Sequence, residues 1–149
     1  MKFFSLVLPL VVAVAAAAQG IAIGAPAPGS TLTHGQNITV EVDKPNSLTG
    51  STDVAIVIAL RSCTIFQSSS CDQFDPSEVL GNILYYGPYS PNYQNVPGQG
   101  FKPPYQNFTV NVPNAFQPGP AVLSVSHFVL LGAGPQAILD IVNTTVNVV

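Results

Sequence analysis

Tryptophan is absent from the 149 residues, only 7% of them are charged, and there are two histidines and two cysteines. Ordinary soluble domains carry roughly 25% charged residues, so this chain has no basic stripe for a phosphate backbone and no run of like charge for a disordered acidic tail. Two cysteines and two histidines leave little from which to build a metal site of three or four donors. No segment shows a sustained 3.6-residue apolar periodicity, which excludes a coiled coil and any substantial amphipathic helix. With no tryptophan, the Cys…Trp…Cys arrangement of an antibody domain is also missing.

What is present begins with an apolar stretch. Lys2 precedes an apolar core of about 15 residues from Phe3 to Ala17, closed by small residues at the A-x-A positions, which is the pattern of a secretory signal peptide cleaved after Ala18. The stretch falls short of the roughly 20 residues that a membrane-spanning helix requires, and the multispan class goes with it. The expected organisation is a signal peptide over 1–18 and one domain over 19–149, secreted and extracellular, with no membrane span in the mature chain. Three basic side chains, Lys44, Arg61 and Lys102, then stand against seven acidic ones, a net charge of −4 with no electrostatic reason to bind nucleic acid or anionic lipid. The terminal Asn143-Thr144-Thr145-Val146-Asn147-Val148-Val149 lacks the spacer and apolar tail of a lipid anchor.

Export to an oxidising compartment gives the cysteines a role. Only one pairing is open to them, so Cys63 and Cys71 are expected to form a disulfide, closing a short loop worth about 2.5 kcal/mol on chain-entropy grounds. Export also activates three N-glycosylation sequons, at Asn37, Asn107 and Asn143. On a strand, each Asn shares a face with the Thr two positions on, while Ile38 and Phe108 point the other way, into an interior.

Period-two alternation is the dominant pattern. Gln36 to Asp43 sets Ile38, Val40 and Val42 against Asn37, Thr39, Glu41 and Asp43. Tyr105 to Val112 likewise buries Phe108, Val110 and Val112. Val54 to Leu60, apolar throughout, suits a central strand. Val79 to Tyr86, Ala121 to Leu131, Ala137 to Val148 and a short piece near Gly20 to Gly24 complete about seven strands, divided by Pro- and Gly-rich turns such as Ala25-Pro26-Ala27-Pro28-Gly29-Ser30. The fold class predicted is all-β, an immunoglobulin-like or fibronectin-like antiparallel β-sandwich, with a small barrel as the alternative.

Between Gly87 and Pro104 the strand rhythm stops, since eight of these eighteen residues are Gly or Pro. All five tyrosines, Tyr85, Tyr86, Tyr89, Tyr93 and Tyr105, lie in or beside this loop. It is the candidate binding loop, because tyrosine combines a large rigid surface with a polar tip; the plainer reading is that the rings fold back over the end of the domain.

The inventory for catalysis is thin, and no enzyme, metal or cofactor is expected. His34 sits in a Thr-His-Gly turn and reads as a solvated turn residue. His127 lies mid-strand with Asp140 expected on the neighbouring strand, a pairing more structural than catalytic, and no Gly-x-Ser-x-Gly elbow accompanies it. Asp72, Asp75 and Glu78 cluster after the disulfide at a spacing that fits no calcium loop.

Four stretches carry a family resemblance: Asn46 to Ile56 (NSLTGSTDVAI), Ile83 to Tyr89 (ILYYGPY), Pro103 to Val110 (PPYQNFTV) and His127 to Pro135 (HFVLLGAGP). In this order, behind a signal peptide and ahead of Asn143-Thr144-Thr145-Val146, they resemble the fungal necrosis-inducing secreted protein family over most of the mature chain. The resemblance implies a non-enzymatic effector that binds a host protein, a receptor-associated immune kinase, suppresses pattern-triggered immunity and in some cases causes cell death. The alternative partner is a wall polysaccharide of the producing fungus, on which aromatic rings would stack.

Overall fold

The computed structural model describes residues 20–64, 70–94 and 102–149. The signal peptide expected over 1–18 lies outside the described residues, as do 95–101 within the tyrosine-flanked loop. Among the described residues eight strands follow one another: β1 (Ala22–Ala25), β2 (Thr31–Leu32), β3 (Asn37–Asp43), β4 (Ser51–Ser62), β5 (Asn82–Gly87), β6 (Tyr105–Asn111), β7 (Gly119–Leu131) and β8 (Gln136–Val148). One turn of 3₁₀ helix, Cys71–Gln73, interrupts the series and is capped by the Ser70 hydroxyl, which accepts from the Asp72 N–H. The chain is thus nearly all β, as its alternation requires.

The strands form two sheets, β1-β3-β6 and β2-β8-β7-β4-β5, the larger curling into a half-barrel. One interior lies between them. Val40 and Val42 of β3 and Phe108 and Val110 of β6 meet Ile56, Ile58 and Leu60 of β4, Leu123 and Val125 of β7, and Val146 and Val148 of β8. β4 is central, flanked by β7 and β5, and its inward residues Ile56, Ile58 and Leu60 are fully buried.

Two expectations are corrected. The larger sheet is not wholly antiparallel, because β2 runs parallel to the end of β8, Thr31 opposite Asn147 and Leu32 opposite Val148. The turn from Ala25 to Ser30 carries the chain from one sheet to the other: Gly29 N–H donates to the Thr145 carbonyl at 2.8 Å and Ser30 O accepts from Asn147 N–H at 2.9 Å. A strand of two residues is too short to show any alternation. The fifth strand begins at Asn82 instead of Val79, because Gly81 turns the chain at φ +85° with Leu60 O within 2.8 Å of where a Cβ would stand.

Candidate functional site

A partly buried charge cluster results from one irregularity. β4 pairs with β7 in register except between Asp53 and Ala55, where Val54 is an extra residue turned outward and 42% exposed. Strict alternation would place Asp53 on the outward side with Ala55 and Val57. The bulge returns it to the inner side, opposite Val129. There Asp53 receives the Lys44 ammonium on both oxygens, at 2.7 and 2.6 Å, and lies 2.9 Å from His127 Nε2, an ion-pair distance without hydrogen-bond alignment. His127 is 3% exposed and meets the Tyr89 ring edge-on at 5.0 Å, while the Tyr89 hydroxyl donates to the Val42 carbonyl.

Burial holds the His127 pKa below the ordinary imidazole value, since the pull of Asp53 only partly offsets desolvation and Lys44 opposes it. Burial, with Asp53 and Asp43 nearby, pushes the Tyr89 phenol well above its ordinary value. Register does set His127 opposite Asp140, yet Asp140 accepts the Ile21 N–H at 2.6 Å, and it is Asp53 from β4 that pairs with the imidazole. A cavity of about 390 Å³ opens beside this cluster, lined by Lys44, His127 and Asp140 and by Ile21, Ile138 and Val142. Tyr89 O–H is committed to Val42, and among the described residues no group of three or more His, Cys, Asp or Glu is placed to hold a metal ion. His34 is not simply solvated: its Nε2 lies 2.6 Å from the Phe116 carbonyl, tying the β2–β3 turn to the turn after β6.

The five tyrosines divide. Tyr89 and Tyr105 are buried, at 3% and 6% exposure, and are withdrawn from any contact patch. Tyr105 belongs to the outward side of β6 but is covered by Lys102, whose Nζ stands 3.9 Å from the ring centre, and by Gln94, which accepts its hydroxyl proton. Tyr85 turns inward against Phe108, ring centres 4.8 Å apart. Tyr86 and Tyr93 remain exposed, and Tyr93 donates to Asn46 Oδ1 across 2.6 Å. Folding-back thus accounts for three of the rings, and surface display for two.

Cys63 and Cys71 are bonded, pinning the end of β4 to the 3₁₀ turn. The sequon residues Asn37 and Asn107 stand exposed on the outward side of the small sheet, with Thr39 opposite Thr109 between them and Asn111 Nδ2 donating to Asn37 Oδ1. Lys102 pairs with Glu41 on that same side, next to Gly24, where a Cβ would collide with the Glu41 carboxylate. Asn143 is exposed on the outward side of β8, with Thr144 buried behind it.

The outward side of the large sheet is of another character. Ile83 and Tyr86 on β5, Phe128 on β7 and Leu139 on β8 stand 57%, 78%, 38% and 61% exposed. Register aligns them, since Phe128 faces Leu139 directly and Tyr86, Val57, Ser126 and Ile141 form the adjoining row. Between them Ala59 and Ser124 are fully buried. This patch was not singled out from the sequence, because β4 is apolar on both sides and Ser124 and Ser126 share the side of Phe128 on β7. The signal that could have found it is that Phe128 and Leu139 sit out of phase with the inward residues of their strands.

The family model that matches the chain is that of the Nis1 family, over residues 16–147. No curated protein matches it.

Proposed function

The chain belongs to the Nis1 family, and from that membership we propose that it is a secreted, fungal effector-like protein that binds a host protein and suppresses pattern-triggered immunity. The host partner is a receptor-associated immune kinase, and cell death is a further outcome of the same contact. The observation that carries this reading is the family match across 16–147. The disulfide supports passage through an oxidising compartment, and the described residues contain no helix long and apolar enough to cross a membrane. An immunoglobulin-like arrangement, supported by the strand orders β1-β3-β6 and β2-β8-β7-β4-β5, is the scaffold of this reading.

The contact surface we assign is the outward side of the large sheet around Ile83, Tyr86 and Phe128. Aromatic anchors on a charge-poor patch are what binding hot spots are made of. The test is the elicitor-triggered oxidative burst in leaf tissue expressing the chain with and without its first 18 residues, followed by capture of the kinase domain on the purified protein. Suppression by the form without the leader, together with kinase capture, is the expected result. An unchanged burst with both forms at equal soluble expression removes the kinase reading.

The exposed ring of Tyr86 favours a second reading, a wall polysaccharide of the producing fungus stacked on that face. Sedimentation with chitin or β-glucan is its measurement, and a protein that stays in the supernatant with both excludes it.

A further inference from the structure

A sheet edge left unpaired presents orphan N–H and C=O groups that template another strand, and natural domains blunt such edges with short strands, bulges or charge. Most edges of this fold are blunted. β1 has four residues and a register shift, and β5 has six and a shift between its partners Ile58 and Ala59. The free side of β6 carries the sequon at Asn107 and begins under a bridge between Asn92 and Tyr105.

β8 is different. It pairs with β7 over all thirteen residues without a shift, while among the described residues its other side is covered by β2 and the turn before it from Thr145 to Val149. The covered end fixes the parity of the backbone: Thr145 O, Asn147 N and Val149 N all bond toward β2. In an unbroken strand the same side is then faced by the N–H and C=O groups of Ala137, Leu139, Ile141 and Asn143. From Gln136 to Asn143 this edge carries a single charged residue, Asp140, whose carboxylate points inward and already accepts the Ile21 N–H.

We propose that a second copy of this chain pairs with β8, strand against strand and antiparallel about a two-fold axis at Leu139. The register follows from charge and from the alternation of faces. Pairing must keep like faces together, and the register that sets Asp140 against its own copy is disfavoured by like-charge repulsion. Shifting by one residue on each strand centres the pair on Leu139, with Asp140 opposite Ile138 and Ala137 opposite Ile141. Leu139, 61% exposed alone, then packs on its copy, and the two Phe128 side chains beside it extend the same apolar ribbon. Asn143 falls opposite position 135, beyond the end of the partner's β8, so a sugar there leaves the pairing free. The two copies build one continuous sheet of ten strands.

The test is sedimentation of the secreted, disulfide-bonded protein over a concentration series, with hydrogen exchange of the β8 amides. The wild type is expected to reach twice its monomer mass as concentration rises, with the amides of Ala137, Leu139 and Ile141 becoming protected in step. Leu139→Lys is expected to remain at monomer mass with an unchanged melting temperature. Ile83→Lys, on the opposite edge strand, is expected to dimerise like the wild type. A wild type that stays monomeric, a dimer that survives Leu139→Lys, or a dimer lost in Ile83→Lys overturns the proposal. Should Leu139→Lys fail to fold, the wild-type exchange series decides alone: β8 amides whose protection does not change with concentration refute it.

Discussion

The two sheets enclose one interior and turn different surfaces to the solvent, one polar throughout and one with large apolar side chains among its outward residues. The small sheet shows Asn37, Thr39, Asn107, Thr109 and Asn111, with the Glu41–Lys102 pair among them. The large sheet shows Ile83, Tyr86, Phe128 and Leu139, with the polar Asn143, Thr145 and Asn147 confined to the far half of β8. Both are built by the same alternation, so the difference lies in which residues were placed at the outward positions. The polar side follows the usual division of a half-buried antiparallel sheet. The large sheet departs from that division at Ile83, Tyr86, Phe128 and Leu139. The proposed contact surface rests on this difference between the two sides.

That contrast depends on a shared interior, and the largest expected effect comes from breaking it. Phe108 reaches from β6 against Tyr85 and Tyr89, joining the small sheet to the end of the large one. Phe108→Ala is expected to cost about 3–5 kcal/mol in urea unfolding and to lower the stability reported from both sheets together. If amide exchange showed the large sheet unaffected, the two faces would belong to separable units.

Next in size is Asp53, the point where charge penetrates between the sheets. Asp53→Ala leaves Lys44 facing a buried imidazole with no anion between them, and the expected loss is about 3 kcal/mol by denaturant unfolding. Asp53→Asn is expected to lose less, because the amide oxygen still accepts from Lys44.

The same cluster sets a pH dependence. His127 is met by Asp53 from β4, Lys44 from the end of β3, Asp140 from β8 and Tyr89 from the segment after β5. Its pKa in the fold is lowered, so the unfolded chain binds the proton more readily. Stability is therefore complete above the ordinary histidine value of about 6.5 and falls as pH drops through it. The denaturation midpoint is expected to decrease between about pH 7 and 5 and this part of the slope to vanish in His127→Gln. Asp75, held low by its hydrogen bonds to Ser77, contributes in a separate window: its share is present above the ordinary carboxylate range and lost as pH falls through it.

Much of the fold was legible in the sequence, and for a physical reason. β3 and β6 each have one wet side and one dry side, so alternation announced them with their inward residues. The disulfide followed from there being only two cysteines. The site was less legible. Asp53 reaches the interior through a bulge, and a single inserted residue leaves no mark on an alternation that Val54 to Leu60 does not display. Tyr89 and Tyr105 belong to a cluster rich in tyrosine, but composition cannot say which rings a loop folds under. β2 is created by hydrogen bonds to β8, more than a hundred residues away along the chain, and nothing local forecasts it.

The smallest effect on stability is expected where the comparison between faces is sharpest. In protein produced without N-glycosylation, because Thr109→Ala also removes the Asn107 sequon, Tyr86→Ala on the large sheet and Thr109→Ala on the small one both remove outward side chains, and surface substitutions of this kind shift stability by about 0.5 kcal/mol or less. Stability alone cannot separate the two faces. Capture of the kinase domain by the purified protein can: Tyr86→Ala is expected to weaken it at least tenfold, a change of about 1.4 kcal/mol in binding, while Thr109→Ala leaves it unchanged. Ile83→Ala should follow Tyr86, because both stand outward on β5, opposite Ala59 and Val57 of β4. If Thr109→Ala weakened capture and Tyr86→Ala did not, the polar face would be the contact surface. The apolar one would then be left to pairing between copies of the chain.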